Sequence, residues 1–234
     1  MDNLESSIKN QPSLSLIVGP HFFGSFQFII LTIVAMFFYK GGTYSDPSST
    51  PYLFWYNYFS DLGRSVAHSG VSNKVSFLLF TIALSLWGLS QIPFFIAFPK
   101  FFFKTRKLKR ISITGSIFGI FTGVCYVGIA FIPSDLIGNL HDLLVLFGFG
   151  SIFISLILYS IVIYQDINYP KFYAKILVIS IIILGIYFIS FSSVQNANFE
   201  IKLLISVIGQ KIMIYTLLTC GIIQGYGALR QSFS

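Results

Sequence analysis

Charged residues are scarce in this chain. Of its 234 residues, 10% are charged and 55% are hydrophobic, whereas a soluble domain carries about 25% charged residues. A water-soluble fold of this length would have to bury more apolar surface than its interior can hold. The scarcity of charge therefore excludes an ordinary soluble domain and favours a protein whose apolar side chains contact lipid.

Cysteine is rare and the common catalytic motifs are missing. The two cysteines, Cys125 and Cys220, lie in apolar stretches at different predicted depths. Since Cα atoms more than about 7 Å apart cannot be bridged, we expect two free, buried thiols. The sequence has no Gly-x-Ser-x-Gly, no His-Glu-x-x-His and no phosphate-binding loop. The motifs that mark common hydrolases and nucleotide-binding proteins are therefore absent.

Six long apolar runs are present, and each can cross a bilayer, which takes about 20 helical residues. The runs are continuous, which excludes the alternating pattern of a membrane barrel. No signal-peptide cleavage pattern follows the first run, so we expect it to remain as a helix. The sequence therefore predicts an all-α, six-helix transmembrane bundle, one domain over residues 1–234, with a short outer interfacial segment. The predicted helices cover residues 22–39, 75–98, 111–132, 140–164, 172–194 and 201–226.

Positive charge is concentrated between the second and third predicted helices. The chain has a net charge of +7, and no acidic residue interrupts this loop. Because lysine and arginine mark cytoplasmic loops, we predict a multi-pass protein with both termini and residues 99–110 in the cytoplasm. We expect membrane lipids as partners, with anionic headgroups at this loop, and no nucleic acid. The basic residues are Lys100, Lys104, Arg106, Lys107, Lys109 and Arg110.

Small residues recur at four-residue spacing in two predicted helices. This spacing lets helix backbones approach one another closely in a membrane, so we expect packing faces inside the bundle. The residues are Gly115, Gly119 and Gly123 in the third helix, and Gly221 and Gly225 in the sixth.

Polar residues interrupt the apolar pattern at four places. Ser60 and Asp61 follow an aromatic segment, residues 52–59, for which we predict a short re-entrant or interfacial helix that ends at Gly63. Asp135 is expected to cap the turn after the third helix. The candidate binding-site residues at the four places are Ser60, Asp61, Asp135, His141, Gln210 and Lys211.

Lys211 is the most informative of these residues. An ammonium near the bilayer centre costs about 3 kcal/mol on insertion scales, so such a residue usually faces the bundle interior and pairs with an acid. We expect Asp61 to be its partner. Two interpretations remain open: a buried ion pair that holds the sixth helix against the first loop, or a polar pocket open to the outer leaflet.

Metal binding and catalysis have weaker support. The predicted topology places His21 on the cytoplasmic side and His68 and His141 outside, so a three-histidine zinc site is not expected. His68, His141 and one aspartate remain an open combination, but we predict no metal and no cofactor. His141 could act as a base oriented by Asp135 or Asp142, with Ser60 or Ser134 as nucleophile, although nothing in the spacing selects this arrangement.

Three motifs occur in a distinctive order. They are Ser60-Asp61-Leu62-Gly63 after the first helix, Phe131-Ile132-Pro133-Ser134-Asp135 followed by His141, and Gln210-Lys211 in the last helix. Together they resemble the prokaryotic domain-of-unknown-function 998 family, which is distantly similar to the FRAG/DRAM/Sfk membrane proteins. The family usually has arginine at the position of Lys211, and lysine keeps the charge without the bidentate geometry. The resemblance implies a six-helix topology and a polar site, but no established reaction.

We expect an integral membrane protein that binds a lipid or small amphiphile in an outward-facing polar cavity lined by Asp61, His141, Gln210 and Lys211. One alternative is a membrane-embedded hydrolase that acts on a lipid headgroup, with His141 as base. Another is a small-solute or proton-linked transporter that uses the same buried charges, although the sequence shows no clear inverted repeat or paired broken helices. The sequence leaves the oligomeric state open.

Overall fold

The protein consists of six long helices in a computed structural model that describes residues 12–103 and 105–233. Each helix contains a stretch long and apolar enough to cross a membrane, so the predicted all-α bundle and the multi-pass architecture are confirmed. Lys104 lies outside the described residues. The helices are α1 (Pro12–Phe38), α2 (Lys74–Ala97), α3 (Arg106–Phe131), α4 (Gly138–Gln165), α5 (Lys171–Ser193) and α6 (Phe199–Ser232).

The third helix begins earlier than its apolar run. Thr105 caps α3, because its hydroxyl accepts a hydrogen bond from the Leu108 backbone N–H at 3.2 Å. The basic residues from Arg106 onward therefore form the first turns of α3, and the predicted loop over residues 99–110 is correspondingly shorter. A 3-10 helix, Phe98–Phe102, occupies part of what remains. Hydropathy alone placed this boundary too late because charged residues can extend a helix beyond the membrane.

The helices form a ring in chain order. Each helix packs against the next one along the chain, and α6 returns to pack against α1. Short connections force the helices from α2 to α6 to alternate in direction. The first helix is antiparallel to α2, because His21 stacks on Phe94 and Phe28 lies near Phe80. One end of the bundle, which we call the long-loop end, therefore carries residues 39–73, 132–137 and 194–198. The other end, the basic end, carries residues 98–103, 105 and 166–170.

Glycines form the closest helix contacts, as the four-residue spacing predicts. Gly123 of α3 lies against Gly88 of α2, where an added Cβ on Gly123 would be 2.6 Å from the Gly88 carbonyl oxygen. Gly225 of α6 lies against α1, where an added Cβ would be 2.9 Å from the Phe22 backbone nitrogen. Both cysteines are free and buried, as predicted.

The segment after α1 is mostly irregular. The predicted helix over residues 52–59 is wrong, and only Ser60–Gly63 forms a 3-10 helix, which ends at Gly63 as expected. The Asn57 side chain explains part of the difference. Its Oδ1 accepts a hydrogen bond from the Leu53 N–H at 2.9 Å, and such local side-chain bonds compete with helical ones.

Candidate functional site

Asp61 is the centre of a buried hydrogen-bond network at the long-loop end. Its Oδ2 accepts hydrogen bonds from Asn57 Nδ2 at 3.0 Å and from the Tyr58 N–H at 2.9 Å. His68 Nε2 donates to Oδ1 at 3.0 Å and forms an ion pair when protonated. Asp61 is 4% exposed, so this carboxylate depends on protein donors in place of water.

Asn57 extends the network toward the end of α1. Its Nδ2 also donates to the Gly42 carbonyl at 2.9 Å. Gly42 has a φ of +81°, and an added Cβ would lie 2.3 Å from the Ser69 backbone nitrogen. This position therefore requires glycine for both its backbone conformation and its close packing, which holds the first loop in one arrangement.

Lys211 enters the same network through a backbone carbonyl. Its ammonium donates to the Asn57 carbonyl oxygen, and Asp61 acts on it through space without a direct contact. The expected Asp61–Lys211 ion pair is therefore wrong. Within the described part of the chain, the only ion pair shorter than 4.0 Å is the one between His68 and Asp61. Three aromatic rings surround the ammonium within 5.6 Å of their centroids: Tyr52, Phe54 and Phe59.

Gln210 and Tyr52 complete the contact between α6 and the first loop. Gln210 Oε1 accepts a hydrogen bond from the Phe59 N–H at 2.9 Å. The Tyr52 hydroxyl donates to the Tyr58 carbonyl at 3.0 Å. Burial, together with the nearby charge of Asp61, raises the pKa of Tyr52 well above its usual value. Tyr52 is therefore a neutral hydrogen-bond donor at physiological pH.

Asp135 contacts the first loop instead of capping its own turn. Its carboxylate accepts hydrogen bonds from the Ser65 N–H at 3.0 Å, the Ser65 hydroxyl at 2.6 Å and the Val66 N–H at 3.0 Å. Partial burial opposes ionisation, but these hydrogen bonds outweigh it and lower the pKa of Asp135. Asp135 therefore ties the α3–α4 turn to the loop that follows Ser60.

His141 connects two helices. Its Nδ1 donates to the Ile132 carbonyl at 2.7 Å, and its side chain is buried. The structure therefore places a backbone carbonyl, and not a nucleophilic hydroxyl, on this ring nitrogen. Among residues 12–103 and 105–233, no three His, Cys, Asp or Glu side chains gather in a group that could hold a metal ion.

A groove between α5 and α6 passes beside Lys211. The groove is open and has a volume of about 470 Å³, and both Trp55 of the first loop and Lys211 line it. The surface of α5 is poorly covered by other parts of the protein. Only 17% of its most apolar stretch is buried, against 33% to 56% for the other five helices. The other lining residues are Phe54, Ile176, Ile179, Ser180, Ile183, Ile212, Tyr215, Thr216, Thr219, Cys220 and Ile223.

Sequence reasoning overlooked two central members of this site. Asn57 lies within an aromatic stretch and carries no charge, so no motif marks it. His68 was considered only as a metal ligand. The clearest available signal was the closeness of both residues to Asp61 in the chain, at separations of four and seven residues.

Comparison with models of protein families, with curated proteins and with solved structures finds no match for this chain. The function of the protein is therefore inferred from its own geometry.

Proposed function

We propose that the protein binds a membrane amphiphile with an acidic headgroup in the groove between α5 and α6. The acyl chain lies along the groove, and the carboxylate or phosphate approaches Lys211. The observation that carries this proposal is a buried lysine, Lys211, which is 1% exposed and lines a groove on the apolar surface of the bundle. The carboxylate of Asp61, which already accepts hydrogen bonds from Asn57, Tyr58 and His68, holds the loop that positions the Lys211 ammonium.

The unused hydrogen-bonding capacity of Lys211 supports an anionic headgroup. An ammonium has three N–H donors, and among the described residues the one acceptor within hydrogen-bonding distance is the Asn57 carbonyl. The surrounding aromatic rings contribute cation–π attraction but no further acceptor for these donors. An anionic headgroup would supply both a further acceptor and a negative charge in direct contact with the ammonium.

The surface of α5 supports an acyl chain as the occupant. The groove is lined mainly by aliphatic and aromatic side chains, and α5 has little protein cover. In a membrane, an apolar surface of this kind is in contact with lipid tails. A single chain would therefore enter sideways from the bilayer and bring its headgroup to the end of the groove where Trp55 lies.

Fluorescence quenching of Trp55 tests this proposal. Dibromostearate should quench Trp55 in the purified protein at a concentration about tenfold lower than its uncharged methyl ester, because a charge-assisted hydrogen bond contributes about 1.5–3 kcal/mol. Lys211→Met should remove this preference. Lys202→Met, which changes a half-buried lysine of the same helix, should retain it.

Two further variants separate site occupancy from general partitioning into micelles. Trp55→Phe should abolish the saturable quenching, since Trp87 is buried away from the groove. Thr219→Phe, which places a larger side chain in the groove, should weaken the quenching by the acid and by the ester to the same extent. Equal quenching by acid and ester in the unmodified protein would refute the headgroup preference, and quenching that excess oleate cannot displace would refute the site.

We also propose that the basic end faces the cytoplasm and the long-loop end faces outward. The basic residues at the start of α3 support this orientation. In a Cys125→Ser, Cys220→Ser background, an impermeant maleimide applied to intact cells should label Ser48→Cys but not Asn168→Cys. Both positions are exposed, so labelling of Asn168→Cys alone would reverse the orientation.

A further inference from the structure

A small cavity lies at the centre of the helix ring, separate from the network around Asp61. All six helices contribute side chains to its wall, and its volume is about 40 Å³. A buried water molecule needs roughly 10–15 Å³ of such space, whereas an engineered protein cavity that holds benzene measures about 150 Å³. The cavity therefore admits about three water molecules and is too small for an aromatic ring or a lipid chain.

The wall of the cavity gathers buried polar atoms without protein partners. Nine buried side-chain nitrogen and oxygen atoms have no hydrogen-bond partner in the described part of the chain, and five of them belong to residues that line this cavity. Each of these five residues is at most 5% exposed. Native proteins pair the large majority of such atoms with protein or water, so their concentration around one cavity indicates a common partner. The five atoms are His21 Nδ1, Trp87 Nε1, Gln91 Oε1, Tyr126 Oη and Gln224 Oε1.

These five atoms combine hydrogen-bond donors and acceptors. Trp87 Nε1 can only donate, a tyrosine hydroxyl can do either, and an amide oxygen can only accept. Gln224 is oriented by its Nε2, which donates to the Tyr173 carbonyl at 2.9 Å, so its Oε1 remains available as an acceptor. An occupant that satisfies this set must both donate and accept hydrogen bonds, as water does.

The chemistry of the wall excludes an ion as the occupant. Among the described residues that line the cavity there is no Asp, Glu, Lys or Arg, so an ion would be buried without a counter-charge. A cation could not use Trp87 Nε1, which only donates, and an anion would be repelled by the amide oxygens of Gln91 and Gln224. The wall therefore fits a small, uncharged occupant.

We propose that the central cavity binds a cluster of about three ordered water molecules that bridges α1, α2, α3 and α6. One water accepts a hydrogen bond from Trp87 Nε1, and waters donate to the oxygens of Gln91 and Gln224. His21 of α1 and Tyr126 of α3 complete the cluster, which thereby stabilises the closed helix ring. This site is separate from the acidic-headgroup site at Lys211, and either proposal can fail without the other.

Ultraviolet resonance Raman spectroscopy of the purified Trp55→Phe variant tests this site. The chain has two tryptophans, so Trp87 is the only indole in this variant. The indole vibration that is sensitive to N–H hydrogen bonding should have the frequency of a hydrogen-bonded ring. Because a metal ion cannot accept a hydrogen bond, this result also distinguishes water from a bound cation. The frequency of an indole in an alkane solvent would overturn the proposal.

Thermal unfolding of two tyrosine variants tests whether the cluster stabilises the ring. Tyr126→Phe removes only a hydroxyl group and should lower the melting temperature, because it takes a hydrogen-bond partner from the waters. Tyr169→Phe is the matched control, since Tyr169 Oη is also buried and unpartnered but does not line the cavity. Its melting temperature should equal or exceed that of the unmodified protein. If Tyr126→Phe is tolerated as well as Tyr169→Phe, the stabilising water cluster is refuted.

Discussion

Replacing Asp61 by leucine should destabilise the protein by about 3–5 kcal/mol. The substitution removes the acceptor of three hydrogen bonds. Asn57 Nδ2 keeps its bond to the Gly42 carbonyl, whereas the partly buried Tyr58 N–H and His68 Nε2 lose their acceptor. Asp61→Asn keeps one side-chain oxygen as an acceptor and should therefore destabilise the protein less. Reversible unfolding in mixed micelles of sodium dodecyl sulfate and dodecyl maltoside measures the free energies.

The matched control for Asp61 is Asp142, which is exposed at the start of α4. Asp142→Leu should cost less than about 1 kcal/mol, the usual size of an aspartate–helix-dipole interaction at a surface. If Asp61→Leu is no more harmful than Asp142→Leu, the network around Asp61 does not stabilise the first loop.

Replacing Gly123 by leucine should prevent correct packing of α3 on α2. The new Cβ would lie 2.6 Å from the Gly88 carbonyl oxygen, and a backbone atom cannot move aside as a flexible side chain can. Overpacking in a well-packed core costs about 1–3 kcal/mol. A clash with a backbone atom should reach or exceed the upper end of that range. The yield of monodisperse protein from the membrane fraction and its melting temperature report the effect.

Gly185 of α5 supplies the control for Gly123. An added Cβ at Gly185 has no neighbour within 4 Å, so Gly185→Leu should fold with a normal yield and melting temperature. Both substitutions add the same side chain to a helix in the membrane. Equal tolerance at the two positions would contradict the close α2–α3 contact.

The number of helices and their approximate positions were predictable from the sequence. A bilayer requires long, continuous apolar segments with internally paired backbones, and this constraint acts on each segment separately. The packing role of Gly123 was predictable for a similar reason, since spacing along one helix defines a face. The start of α3 at Arg106 was not predictable from the sequence, because hydropathy measures the affinity of a segment for the membrane and not the extent of the helix.

The partners of the polar residues depended on the three-dimensional structure. The sequence indicated that Lys211 needed a polar partner, but charge alone suggested Asp61, whereas the ammonium contacts the Asn57 carbonyl. A backbone carbonyl leaves no trace in a sequence pattern. Asp61 takes its ion-pair partner, His68, from its own loop.

A small cavity at the centre of the helix ring, lined in part by His21, Trp87 and Gln224, shows the same limit most clearly. His21, Trp87 and Gln224 are far apart in the chain and belong to three different helices, and no motif connects them. Their unpaired atoms lie around one cavity only because the ring closes when α6 packs against α1. Local apolar patterning therefore determines the helices and their membrane location, whereas the pairing of buried polar groups depends on how the helices close around one another.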